Sequence, residues 1–199
     1  DAIYGIIKGI AVNNDGASNG ITAPNARAQQ DVLLKAWKKA GISPEQLSYI
    51  ESHGTGTNLG DPIEIRGLSN AAAKHTKRKQ FCGIGSVKTN IGHTVATAGL
   101  ASLSKVLLSY KHQQLPPSLN FNEPNLFIDF ANSPVYVNDS LTDWPAPDSD
   151  SDEPRYAGIS SFSLSGTNCH LVWPSVSPKS SVLWLKRFDY TTKPSMLND

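Results

Sequence analysis

The chain has 199 residues, 39% hydrophobic and 18% charged, with a formal net charge of +1. That is enough apolar material for one ordinary core or two small ones. So balanced a charge gives no reason to expect nucleic acid or an anionic membrane surface as the main partner.

The opening IYGIIKGIAVN (3–13) is rich in β-branched residues and predicts a strand, followed by a cluster of turn formers, NNDGASNG. The N-terminus lacks a secretory signal's charged start and cleavage site. Ala28, Val32, Leu33, Ala36 and Trp37 recur at helical spacing, and Gly41 ends that run. Ser43 and Pro44 read as N-cap and first turn of a short helix, and Leu47 to Glu51 as a short strand. After the loop HGTGTNLGD, the pattern DPIEIRGLSNAAAK predicts a helix capped by Asp61 with Pro62 at its first position.

KHTKRKQ (74–80) is a solvated basic connection, FCGIGSV a strand of the buried type, and VATAGLASLSKVLLSYKHQQL a helix whose small residues permit close packing. From Pro116 the chain turns rich in Pro, Asn and Asp, with a short strand near 135–137 and an exposed DSDSDEP loop. RYAGISSFSLSGTNCHLVW predicts strand, turn, strand. Residues 1–174 form one domain, and residues 175–199 a linker or docking segment. The order β-α-β-α-β-α and then β-turn-β argues for α/β layers, with unusual residues in the loops at strand ends. No apolar run approaches the roughly 20 residues of a membrane-spanning helix.

Several chemistries find no support. The five histidines are widely separated, with no HxxxH and no CxxC, so no metal site is expected. The P-loop and dinucleotide glycine patterns are absent, as is the G-x-S-x-G elbow of serine hydrolases. Cys82 and Cys169 read as small hydrophobes and reduced thiols of a cytoplasmic protein, a long-range disulfide being the alternative.

What remains is a pair of loops of one kind. Strand LSYIES feeds HGTGT, strand FCGIGS feeds VKTNIGH, and each delivers a histidine, His53 or His93, to a glycine-containing exit. Two neutral imidazoles aimed at one spot would stabilise an oxygen that gains charge. Desolvation favours that neutral form. Thr55 and Thr57 offer hydroxyls to the amides of an extended substrate arm. A buried Lys88 requires a carboxylate partner, for which Glu64 is the candidate.

These loops, with VNNDGASNGITAPN, IDFANSPVYVN and GISSFSLSGTNCHLV in the same order, closely resemble the C-terminal half of β-ketoacyl synthases, especially polyketide-synthase ketosynthases. The resemblance implies a thiolase-like α/β fold in which two similar halves pack as α-β-α-β-α layers. It implies decarboxylative Claisen condensation between an acyl thioester held on a cysteine and a malonyl-type extender on acyl carrier protein. No cofactor is tightly held; the carrier delivers its phosphopantetheine arm. By motif position His53 and His93 are the catalytic histidines and Lys88 supports them. Thr55, Thr57 and Asn90 contact the substrate arm, Asp61 and Glu64 belong to the supporting network, and the Leu164 N–H lies near the acyl carbonyl. The resemblance also implies a homodimer for the complete enzyme.

Two departures stand out. The family's TACSSS-type cysteine motif is absent, so the chain is expected to depend on an N-terminal half that supplies the nucleophile, and to be inactive alone. Ser163 also stands where the family carries glycine. If that position needs φ > 0, Ser163 adds strain of about 1 kcal/mol. The alternatives are a non-catalytic, ketosynthase-like scaffold or carrier-protein-binding module, and a thiolase-type or chain-initiating relative.

Overall fold

A computed structural model describes residues 6–16, 23–144 and 154–175. The expectations for the DSDSDEP loop before Pro154 and for the tail beyond Ser175 lie outside the described residues. The elements in chain order are β1 (Gly9–Asn14), α1 (Ala26–Ala40), β2 (Leu47–Glu51), α2 (Gly60–Ala72), β3 (Cys82–Gly85), the one-turn α3 (Lys88–Ile91), α4 (Ala98–His112), β4 (Gln114–Leu115), β5 (Val135–Val137), β6 (Thr142–Asp143), β7 (Tyr156–Phe162) and β8 (Thr167–Pro174).

Helix α1 forms where the apolar spacing predicts it. Asn25 caps its start by accepting from the Arg27 and Ala28 N–H groups, and Gly41 ends it at φ 64°. Ala28, Val32, Leu33, Ala36 and Trp37 are all buried. The 3-10 turn Pro44–Gln46 carries a reciprocal capping box from Ser43 and Gln46.

The expected Asp61 cap of α2 is not what forms. The helix begins two residues earlier, at Gly60, and the Thr57 hydroxyl accepts the Gly60 N–H at 3.0 Å. Asp61 instead folds back and accepts the Gly56 N–H at 3.2 Å. The reason is local geometry: side chains in a helix lean toward its N-terminus, so a carboxylate inside the first turn reaches the loop behind it.

Six strands make one sheet in the order β1-β8-β7-β2-β3-β5. The pairs β7–β2, β2–β3 and β3–β5 are parallel, while β1–β8 and β8–β7 are antiparallel. A register shift between Leu47 and Tyr49 re-aims β2. Leu47 and Ile50 join the core beneath α1 and α2, while Tyr49 joins the core beneath α4 with Val106, Ala157 and Ile159. The result is a helix–sheet–helix sandwich with α4 on one face and α1 and α2 on the other. Among the described residues no helix is long and apolar enough to cross a membrane.

This topology positions the site. The strands β7, β2 and β3 are adjacent and parallel, so their C-terminal ends open on one edge of the sheet, where open α/β sheets place ligands. Those ends lead to Phe162, His53 and Lys88.

Candidate active site

His53 follows β2 by two residues, and its peptide is held from both sides. Its N–H and that of Gly54 donate to the two oxygens of Glu64 at 2.8 and 2.9 Å. Its carbonyl accepts from Lys88 Nζ. The loop is equally constrained at Gly54 (φ 41°), where a Cβ would sit 2.5 Å from Ser52 Oγ and 2.8 Å from Ser86 Cβ, so only glycine fits without a shift.

The expected ion pair between Lys88 and Glu64 is absent; among the described residues the ion pairs are Arg78–Glu45 and Lys105–Glu51. Lys88 and Glu64 hold opposite ends of one peptide unit instead. Each still feels the other's charge. Burial depresses the Lys88 ammonium while Glu64, Glu51 and Asp61 support it. Burial pushes the Glu64 carboxyl up to about 7, against the pull of the two N–H groups.

The His53 and His93 rings lie 5.5 Å apart, edge to face. Both have Nδ1 engaged as an acceptor, His53 from the Phe162 N–H at 3.3 Å and His93 from the Val95 N–H at 3.0 Å. An imidazole that accepts at Nδ1 and is neutral carries its proton on Nε2. The two rings therefore present two Nε2–H donors.

For His93 the arrangement rests on strained backbone. Val95 adopts φ 52°, a left-handed conformation that costs a β-branched residue about 1–2 kcal/mol. Ser163 is not among the residues of positive φ; in the gate turn Gly166 takes that conformation, at φ 83°. The strain expected at Ser163 is therefore absent, and Val95 carries it at the other loop.

Burial, then Lys88, then His93 lower the His53 pKa to about 4. A titration of the His53 ring followed by NMR is expected to show its midpoint near that value rather than near 6.5; a midpoint at 6.5 would mean the ring is solvated.

Both histidines line a cavity of about 610 Å³, together with Thr55, Thr57, Phe162 and Leu164. The Thr55 and Thr57 hydroxyls are 3.1 Å apart. In the gate turn the Ser163 N–H donates to Thr167 O, Ser165 N–H to Ser163 Oγ and Gly166 N–H to Ser163 O. The Leu164 N–H is left without a partner among the described residues. Leu164 itself is 73% exposed.

Asn90 is exposed and lies outside this lining, and Asp61 lines a second cavity of about 610 Å³ that shares Glu64 with the first. Cys82 and Cys169 are free; one is buried, the other half-buried, and burial raises both thiols. Neither therefore supplies a thiolate near neutral pH.

Sequence reasoning missed Phe162 and Val95, which act through backbone N–H groups, and Glu51 and Lys105, a buried charge pair beneath the loops. The signal for the pair was present: a carboxylate closing an apolar strand and a lysine within an apolar helix.

The chain is similar to known proteins in sequence and in fold. The family profile "Beta-ketoacyl synthase, C-terminal domain" matches residues 4–122. Polyketide synthase PksL of Bacillus subtilis is 50% identical over 193 residues, 97% of this chain and 4% of that protein. Erythronolide synthase EryA3 of Saccharopolyspora erythraea is 44% identical over 170 residues, 85% of this chain and 5% of that protein. Among solved structures, the ketosynthase from module 6 of the bacillaene synthase of B. subtilis superimposes with a TM-score of 0.84 at 51% identity, covering 88% of this chain and 31% of that one. The oxazolomycin ketosynthase domain from Streptomyces albus superimposes with a TM-score of 0.85 at 40% identity, covering 89% of this chain and 32% of that one. The chain thus spans about a third of these ketosynthases and a few per cent of the curated relatives.

Proposed function

The chain belongs to the β-ketoacyl synthase family as a C-terminal domain of the polyketide-synthase ketosynthase kind, and from that premise we propose that it supplies the decarboxylation half of a condensing active site. The observation that carries this reading is the pair of imidazoles 5.5 Å apart in one cavity, each with Nδ1 occupied by a backbone N–H.

In this reading a malonyl-type extender, borne on the pantetheine arm of an acyl carrier protein, enters the cavity past Thr55 and Thr57. Its thioester oxygen sits against both Nε2–H groups. Loss of carbon dioxide leaves an electron pair on the α-carbon that delocalises onto this oxygen, and two preorganised donors stabilise the charge as it develops. The α-carbon then attacks the carbonyl of an acyl thioester on a cysteine supplied by the N-terminal part of the ketosynthase. The oxyanion so formed is placed to meet the unpartnered Leu164 N–H, and collapse releases the cysteine thiolate. Phosphopantetheine supplies only the reach and the thioester, and this chain's residues orient and stabilise.

The scaffold alternative drew on a strained Ser163 gate, and Ser163 is not at positive φ. No other observation favours it.

The test is reconstitution. This chain, given carrier-borne acyl and malonyl thioesters, is expected to form no condensation product, and a ketosynthase that includes the cysteine-bearing part to form it. Product from this chain alone would overturn the assignment of the nucleophile elsewhere. A complete ketosynthase that neither decarboxylates nor condenses malonyl thioesters would overturn the reaction.

A further inference from the structure

Beneath the two histidine loops lies a buried pair of opposite charges. Glu51 is fully buried at the end of β2, and Lys105 is 8% exposed on α4. Lys105 Nζ lies 2.8 Å from Glu51 Oε2, and the hydroxyl of Tyr49, also fully buried, completes a triangle, donating to Glu51 at 2.8 Å and accepting from Lys105 at 2.8 Å. The other carboxylate oxygen accepts the N–H of Val87. The space around the triangle is full: a Cβ on Gly85 would fall 2.7 Å from the Tyr49 hydroxyl and 3.4 Å from Lys105 Nζ.

Such a pair is costly to bury, and apolar residues of similar volume often serve stability as well or better. Stability alone therefore does not account for it. Its placement does. Glu51 is two residues before His53, Val87 is the residue before Lys88 and six before His93, and Lys105 belongs to the helix that follows His93. One carboxylate thus ties together the three elements that present the two rings. The serines beside it reinforce the same junction, since the Ser52 N–H and hydroxyl both donate to Gly85 O, at 2.8 and 2.9 Å, and the Ser86 hydroxyl donates to Gly54 O at 3.0 Å.

We propose that Glu51, Lys105 and Tyr49 are positioning residues that set the separation and aim of the His53 and His93 rings. They touch no substrate and act through the loops. The proposal rests on the decarboxylation reading given above for its kinetic consequence, but its structural consequence stands apart from that reading.

The experiment compares Glu51→Gln/Lys105→Met, which removes both charges together, and Tyr49→Phe, which removes one hydroxyl, with the wild type in the complete ketosynthase. Melting temperature, kcat and KM for malonyl-thioester decarboxylation, and the ring ¹⁵N shifts of His53 and His93 are measured. The double variant is expected to lower kcat by about tenfold or more, because small displacements of a reacting geometry carry large rate penalties, with KM little changed and the ring shifts moved. Tyr49→Phe is expected to show the same pattern with a smaller fall. Wild-type kcat and ring shifts in a folded double variant would overturn the proposal. Should the double variant fail to fold, unchanged kcat and ring shifts in Tyr49→Phe would overturn it. If the wild type does not decarboxylate, the function reading fails, and the ring shifts of the variants still decide the positioning role.

Discussion

Replacing His53 or His93 by alanine is expected to lower malonyl-thioester decarboxylation by a factor of about 10²–10³, the cost of removing one preorganised donor from a developing oxyanion. The two losses are expected to be similar, because each ring contributes one Nε2–H to the same cavity. They should not add in the double variant, since a single remaining donor no longer defines the oxygen's position and its loss removes less. His53→Ala also leaves the Phe162 N–H without its acceptor, so that variant should lose stability as well as rate, whereas His93 sits in an exposed turn. The measurement is carbon dioxide release by the complete ketosynthase, run beside transfer of an acyl group to its cysteine. Acylation should survive in both variants. A variant that decarboxylates at the wild-type rate would remove that ring from the mechanism.

Glu64 carries the second large effect. Its two oxygens take the His53 and Gly54 N–H groups, and it is 7% exposed. Above about pH 7, where the carboxyl is ionised, Glu64→Ala leaves both donors unpaired and is expected to cost about 3–6 kcal/mol, at roughly 1.5–3 kcal/mol for each bond to a charged acceptor. Glu64→Gln keeps the volume but offers one acceptor oxygen, and turns an amide NH₂ toward the other N–H, so it should recover only part of the loss. Urea unfolding measures both.

The same substitution has a pH signature. With its pKa raised by burial to about 7, Glu64 contributes stability that is greatest below about 4.5 and is lost as pH rises through about 7. His53, lowered to about 4, contributes stability present above about 6.5 and lost as pH falls through about 4. Between about pH 4.5 and 6.5 the two slopes oppose each other, so these two groups leave the wild type nearly flat in that window. Glu64→Gln removes the falling slope and should expose the His53 slope, with stability rising with pH there. A variant whose profile parallels the wild type across that window would refute the linkage.

Much of this molecule is written in short stretches of residues. The α1 face of Ala28, Val32, Leu33, Ala36 and Trp37 follows from 3.6-residue periodicity, and all five are buried. β2 and the strand–turn–strand of β7 and β8 follow from β-branched and aromatic runs bounded by turn formers. His53 and His93 were visible as candidates because each stands where an apolar strand opens into glycine. These are local properties, and local rules recover them.

The tertiary structure decided the rest, because partners far apart in the chain meet only when the sheet closes. Every residue but proline carries the same backbone N–H, so no letter of the sequence says that Phe162 and Val95 are the ones that point at the two rings. The positive φ falls on Val95 rather than Ser163, and it is the Val95 N–H that donates to the His93 ring. Lys88 found a carbonyl where a carboxylate was expected, since the His53 peptide offers an acceptor on one side and a donor on the other. The carboxylate that does meet a lysine is Glu51, 54 positions from Lys105, and only the packing of α4 against the sheet brings them together.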